Sequence, residues 1–265
     1  MGLGHVEPLK IALTGNSWHG NFKTVVFSPD DPDLIKKYQT LQTFPEEYSI
    51  WWLGKTTATK FIANAVPPLA IANWLLHKGL LDYLPNRINI MIDLFSGIGG
   101  WALAFCYYLN MKPKHIIAVD YDSRALKAYW WNIPRLCGVE VHDIKRDIAT
   151  MSIDFMKEYV NLFFNHLGIN VVDVVTISPP CESVSKANFH NNTCEPAITL
   201  TKKALEIIEN IPYRLALFEE APTRESCRNE LTKILHEHGF KTEYVNLMKY
   251  GSLNQRHRLL AYKTI

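Results

Sequence analysis

From Arg87 onward, short apolar runs alternate with stretches of helical spacing, and this alternation restricts the fold more than any other feature. Ile88–Leu94 is almost wholly apolar, His115–Val119 nearly so before it ends at Asp120, and Val171–Ile177 repeats the pattern. Apolar runs of this length with no polar face are expected of strands buried on both sides, as in a parallel sheet. Val139–Val141 reads as a third, shorter strand and Arg214–Phe218 as a further one. Glu243–Met248 and Arg258–Tyr262 read as a closing pair. The intervening segments, Trp101–Leu109, Ser123 to about Asn132 with Ser123 as the cap, Ile198–Asn210 and Glu225–His238, have helical character. Strand–helix alternation predicts an α/β fold, a mostly parallel sheet with helices on both faces.

Upstream of Arg87 the reading is helical and broken by prolines. Helices are expected at Leu34–Leu41, at Thr56–Asn64, and at Leu69–Leu81 with proline at the first turn. Residues 1–33 hold two short strand candidates around the turn-rich Gly15–Asn21. At 265 residues the chain suits one large α/β domain or one with a small appendage, and a net charge of +2 neither demands nor excludes a polyanionic partner. The five cysteines lack CxxC or Cys/His ligand spacing, which points to a reducing compartment and away from a zinc site or disulfide frame. With no signal-like apolar core near Met1 and no apolar run of ~18 residues, a soluble cytoplasmic protein is expected. No metal is called for.

Two rim motifs carry chemistry. Phe95-Ser96-Gly97-Ile98-Gly99-Gly100 follows the first strand, and its glycines permit positive φ and close backbone approach to a ligand. Asp120, ending the second strand, is placed to reach a ribose diol at the carboxyl rim of such a sheet. Together they imply a nucleoside-containing cofactor. The turn is not GxGxxG, so a dinucleotide and hydride transfer fit less well. The second motif is Ile177-Ser178-Pro179-Pro180-Cys181, in which two prolines stop a strand stiffly and present a cysteine at its end. That thiol is either a nucleophile or a buried structural cysteine.

These motifs and their order resemble the cytosine-C5 DNA methyltransferase family, from about Leu34 to Leu260. Asp93-Leu94-Phe95-Ser96-Gly97-Ile98-Gly99-Gly100 resembles its cofactor motif, Val119-Asp120-Tyr121-Asp122 its ribose and adenine segment, and Asp147-Ile148 its second adenine segment, with Asp143-Ile144 as a competing register. Pro179-Pro180-Cys181 is similar to the nucleophile motif, with Ser185 in its usual place. Leu217-Phe218-Glu219-Glu220-Ala221-Pro222 resembles the Glu-Asn-Val motif, and Tyr250-Gly251 through Gln255-Arg256-His257-Arg258 the motif ending in alternate arginines. The resemblance implies a Rossmann-like S-adenosylmethionine-dependent methyltransferase fold and that cofactor. It implies Cys181 as nucleophile toward C6 of a flipped cytosine, Glu219 as the carboxyl acting at N3, and Arg256 and Arg258 as orienting cations. The implied cofactor set is Phe95 to Gly100, Asp120, Tyr121, Asp147, Ile148, Pro179, Leu200, Asn64, Ala65 and Val66. Glu182–Ala197 lies where the family has a loop that closes on DNA, offering Asn188, His190, Asn191 and Asn192. Trp101, Trp130 and Trp131 read as core or helix-packing residues.

Two departures shape the expectation. Asn64-Ala65-Val66-Pro67-Pro68 resembles a segment that usually ends such chains, yet here it precedes the glycine turn, as in a circular permutation. Ile265 is then expected near the N-terminal segment. The variable region that reads DNA in the family has only residues 1–33 to occupy, so a second polypeptide carrying target recognition is the expected partner besides DNA. Glu182 stands where glutamine is usual and Glu220 where asparagine is usual. The expected organisation is a single catalytic domain over 1–265, with 34–82 the permuted motifs and 86–265 the core. A non-catalytic cofactor- or DNA-binding subunit and a tRNA cytosine-C5 methyltransferase are the alternatives.

Overall fold

The computed structural model describes Ser28 and residues 30–180, 194–222 and 224–265. A seven-stranded sheet runs in the order β3-β2-β1-β4-β5-β7-β6. Its strands are β1 (Ile90–Leu94), β2 (His115–Asp120), β3 (Glu140–Lys145), β4 (Val172–Ile177), β5 (Tyr213–Glu220), β6 (Lys241–Asn246) and β7 (His257–Thr264). β3, β2, β1, β4 and β5 are mutually parallel, while β7 is antiparallel to both β5 and β6. This is the Rossmann-like methyltransferase arrangement. The strand order reverses between β1 and β4, where a crevice opens beyond the carboxyl ends.

The side-chain alternation of the strands divides the interior in two. Met91, Ile116, Ala118, Val174, Leu215 and Leu217 face one core. Ile90, Ile92, Leu94, Ile117, Val175 and Phe218 face the other. A one-residue slip would exchange the sets, so the buried register is strongly specified. The first core is covered by α1 (Leu34–Leu41), α2 (Lys55–Asn64), α3 (Pro68–His77), α4 (Gly100–Leu103) and α5 (Ser123–Cys137). The second is covered by α6 (Ile153–Leu167), α7 (Glu195–Ile208) and α8 (Glu225–Glu237).

Several local expectations are corrected. The cap of α5 is Asp122, whose carboxylate accepts from Arg124 N, and Ser123 is the first helical residue. That helix passes its Pro134 and ends at Gly138, φ +68°, because Ile133 and Cys137 are buried beyond the expected stop at Asn132. α3 ends at His77; Gly79, φ +64°, redirects the chain into a single 3-10 turn at Leu80–Tyr83. α4 widens into a π turn over Ala104–Tyr108. α6, capped by Ser152 through Phe155 N and ended at Gly168, was not expected at all. Trp101 is buried as expected, whereas Trp130 and Trp131 are each 53% exposed on the outer face of α5. Cys194 and Cys227 form a disulfide, contrary to the cysteine reading; the side-by-side packing of α7 and α8 joins residues 33 apart in sequence. Ile265 N donates to Arg214 O, while the N-terminal segment it was expected to meet lies outside the described residues. No helix among the described residues is long and apolar enough to cross a membrane.

Candidate functional site

The turn after β1 is wound tightly. Phe95, Gly97 and Gly99 all have positive φ, at 57°, 51° and 90°. Phenylalanine in this region is held against a local cost on the order of 1–3 kcal/mol, a form of strain concentrated at ligand sites. The turn is pinned from three sides. Ser96 N donates to Val119 O at 3.0 Å, Gly97 N to Asp120 Oδ2 at 2.8 Å, and the Tyr48 hydroxyl to Ile98 O at 2.6 Å. Burial pushes the Tyr48 hydroxyl pKa far up, which keeps it a donor.

The glycines divide their work. A Cβ on Gly99 would meet Ile133 Cδ1 at 2.8 Å, so this residue serves the packing of the turn on α5 and lines neither cavity at the rim. A Cβ on Gly100 would lie 2.3 Å from Val66 O. Gly100 is therefore what lets Asn64, Ala65 and Val66 come against the turn, and those three do line the cavity.

That cavity has a volume of about 400 Å³. The turn contributes Phe95, Ser96, Gly97, Ile98 and Gly100 to its wall, the end of β2 Asp120 and Tyr121, and the end of β4 Ser178, Pro179 and Pro180. Glu219 and Glu220 of β5 and Arg258 of β7 close the far side. A neighbouring lobe of about 180 Å³ shares Phe95, Asp120, Tyr121 and Pro180 with it and is bounded further by Asp147, Ile148 and Leu200. Asp147, not Asp143, is thus the acid at this lobe; its Oδ1 accepts from Ala149 N and caps the turn that carries Ile148.

Burial raises the pKa of the Asp120 carboxyl. Its Oδ2 accepts from Gly97 N and its Oδ1 from Asp122 N, leaving further lone pairs for a ligand. The Ser96 hydroxyl is buried without a hydrogen-bond partner among the described residues. At the opposite wall Arg258 Nε donates to Glu219 Oε1 at 2.6 Å, both side chains being largely buried. Glu220 is 1% exposed; its Oε1 accepts from Ala221 N at 2.7 Å and its Oε2 has no hydrogen-bond partner among the described residues. Burial above all, with Glu219 adding, pushes this carboxyl up to about 8.

Arg256 stands apart from its expected role. Its guanidinium donates to Ala63 O at 3.0 Å and Ala65 O at 3.3 Å and does not line the cavity. It ties the segment ending α2 to the start of β7. Cys181, Ser185 and the expected loop contacts Asn188, His190, Asn191 and Asn192 lie outside the described residues, although Pro180, directly before Cys181, borders both lobes. Of the expected closing loop, Glu195–Ala197 belongs to α7. Sequence reasoning missed Lys60 and Arg124, which face the cavity from α2 and α5, and Arg146, which borders the smaller lobe and lies 4.1 Å over the Phe155 ring. As ordinary helical or strand-end cations they carry no motif. Trp101 was read only as core; its Nε1 also donates to Ser178 Oγ at 2.8 Å, fixing the residue that precedes the two prolines.

Comparison with known proteins gives the same direction. A protein of Methanocaldococcus jannaschii named as a type II methyltransferase is 27% identical over 183 residues, covering 64% of this chain and 54% of that one. The type II methyltransferase M1.HphI of Haemophilus parahaemolyticus is 26% identical over 179 residues, covering 64% of this chain and 44% of that one. The chain therefore spans about half the length of these curated relatives. Among solved structures, the METTL16 methyltransferase domain superposes with a TM-score of 0.52 at 13% identity, over 91% of this chain and 83% of that one, which establishes likeness of fold. Residues 90–262 match the model of C-5 cytosine-specific DNA methylases, so the chain belongs to that family, whose methyl donor is S-adenosylmethionine.

Proposed function

We propose that this chain is a DNA (cytosine-5-)-methyltransferase catalytic chain. The observation that carries the reading is the placing of Glu219, clamped by Arg258, in one cavity with Asp120 and the Pro179-Pro180 step that leads to Cys181.

The residues present fit S-adenosylmethionine on three points. Asp120 keeps acceptor capacity for a ribose diol, the lobe beside Phe95, Ile148 and Leu200 offers an apolar slot for adenine next to Asp147, and the buried Ser96 hydroxyl needs a polar partner. When bound, the cofactor supplies an electrophilic methyl group. Cytosine C5 is a poor nucleophile, and addition of the Cys181 thiolate at C6 makes it enamine-like. Negative charge then develops at N3, where the Glu219 carboxyl shares a proton. Arg258 fixes that carboxyl by a charge-assisted bond that survives desolvation. Methyl transfer to C5 would release S-adenosylhomocysteine, and loss of the C5 proton to solvent with expulsion of the thiolate from C6 would restore the aromatic ring. A duplex base reaches such a site only when flipped out.

The rotated motif order and the single-domain organisation over 1–265 belong to the same proposal. They draw support from the Arg256 bonds to Ala63 and Ala65 and from the Gly100–Val66 approach, which seat the 64–66 segment at the cavity. A second polypeptide reading the DNA target is also part of the proposal.

The test is trapping on nucleic acid carrying 5-fluorocytosine, where the thiol adduct cannot be resolved. The chain with S-adenosylmethionine is presented with a pool of duplexes and, separately, with tRNA. A duplex adduct that disappears in Cys181→Ala supports the reading. An adduct with tRNA alone replaces it with the tRNA alternative, and cofactor binding with no adduct on either, both for the chain alone and with source-cell extract added to supply a recognition subunit, replaces it with a non-catalytic subunit.

A further inference from the structure

A second cluster of ionisable side chains lies at the other end of the sheet from the cavity. His115 opens β2, Glu140 opens β3 as its register partner, and His142 follows on the same strand. His115 Nδ1 lies 3.2 Å from His142 Nε2 and 3.2 Å from Glu140 Oε2, and His142 Nε2 lies 3.5 Å from Glu140 Oε1. An ion with metal–ligand bonds of ~2.0–2.1 Å in tetrahedral geometry has ligand–ligand edges of about 3.4 Å. The two rings meet that edge, each faces a different oxygen of Glu140, and one ligand atom from each of the three residues lies within 4.8 Å of the other two.

Within the cluster the two rings share one hydrogen bond, His115 Nδ1 with His142 Nε2, and a cation held by the three residues would take its place. The remaining ring nitrogen of His115 is buried without a hydrogen-bond partner among the described residues, so Nδ1 is the atom through which this imidazole binds. Phe163 of α6 packs edge-on against both rings, at 5.6 Å from His115 and 4.8 Å from His142, and fixes their planes. His142 and Glu140 keep 24% and 62% of their side-chain surface, giving an ion an entry path and water a fourth position.

We propose that His115, Glu140 and His142 form a site for one divalent transition-metal ion of the zinc type. Two imidazoles and one carboxylate suit zinc, cobalt or nickel, whereas magnesium and calcium favour all-oxygen sets. The site contains no cysteine and its histidines are 27 residues apart, so ligand spacing in the sequence does not reveal it. Its place at the amino ends of β2 and β3 separates it from methyl transfer. Its effect is to fasten the edge strand β3 to β2.

The test is titration of the untagged, chelator-treated chain with cobalt(II) and zinc(II). The expected result is one cobalt per chain with the strong visible absorption of a tetrahedral ion, displaced by zinc. Glu140→Gln and His142→Ala, both at partly exposed positions, are expected to weaken binding at least tenfold while far-UV circular dichroism is unchanged. Metal at a hundredfold excess over Kd is expected to raise the wild-type melting temperature by about 5 °C and the variants' hardly at all. Absence of stoichiometric cobalt binding overturns the proposal, and so does cobalt binding of equal strength in both variants.

Discussion

Glu220→Gln is expected to stabilise the protein, and by an amount that depends on pH. Burial is the main cause that lifts this carboxyl from 4.5 to about 8, Glu219 adds to it, and Ala221 N–H and Arg258 pull the other way. The folded chain therefore binds a proton here that the unfolded chain releases above pH 4.5. Stability from this group is fully present below pH 4.5 and is lost as pH rises toward about 8. At ~1.4 kcal/mol per pH unit the ceiling is roughly 5 kcal/mol, and relaxation and water entry around the ionised group bring the expected loss to about 2–3 kcal/mol. Glutamine keeps the oxygen that accepts from Ala221 N and cannot ionise. The variant should therefore match wild type near pH 5 and melt roughly 5–10 °C higher near pH 8. Asp93, lifted by burial to about 7 while bonded to Thr176 and Tyr129, adds its own decline between pH 3.8 and 7 in both proteins, so the difference between them isolates Glu220. The assay is thermal melting of both chains across pH 5 to 8.5. Parallel profiles would refute the reasoning.

Gly100→Ala should displace Val66 by roughly 1 Å, since its Cβ would sit 2.3 Å from that carbonyl oxygen, and cost about 1–3 kcal/mol; denaturant titration measures it, and a change under 0.5 kcal/mol contradicts the contact. Asp120→Asn should weaken S-adenosylhomocysteine binding about 10- to 100-fold by calorimetry, the range for hydrogen bonds to a charged group. Arg258→Lys, which loses the planar donor that holds Glu219 at 2.6 Å, should lower kcat at least tenfold with cofactor affinity unchanged; a matching loss of cofactor affinity would place this arginine's role elsewhere.

The strands next to the crevice were legible because burial on both faces leaves a mostly apolar run, as in Ile90–Leu94 and Val172–Ile177, broken only by the buried Asp93, Asp173 and Thr176. β3 was harder: as an edge strand it is mostly exposed, and only its start was read. α5 runs past the expected end near Asn132 and through Pro134, since tertiary burial of Ile133 and Cys137 outweighs one missing N–H. The cavity residues of the glycine turn were legible through their motif, but Gly99 and Arg256 turned out to support the wall and not to form it. A motif records that a residue is needed. It does not record whether the need is contact with a ligand or the packing behind it. Pairing across long separations, such as Cys194 with Cys227 or His115 with His142, leaves no local pattern at all.

The helices before β1 are stitched to the chain's far end. Asn73 donates to Tyr250 O, Trp74 Nε1 and Lys78 both reach Glu243, and Arg256 reaches back to Ala63 and Ala65. A fragment trimmed to residues 90–262 would keep the family's recognisable span yet lose the wall made by Asn64–Val66 and the Tyr48 tether on the turn. Recombinant boundaries drawn from the match alone would cut through the floor of the site, and a shortened product that precipitates would be reporting that cut.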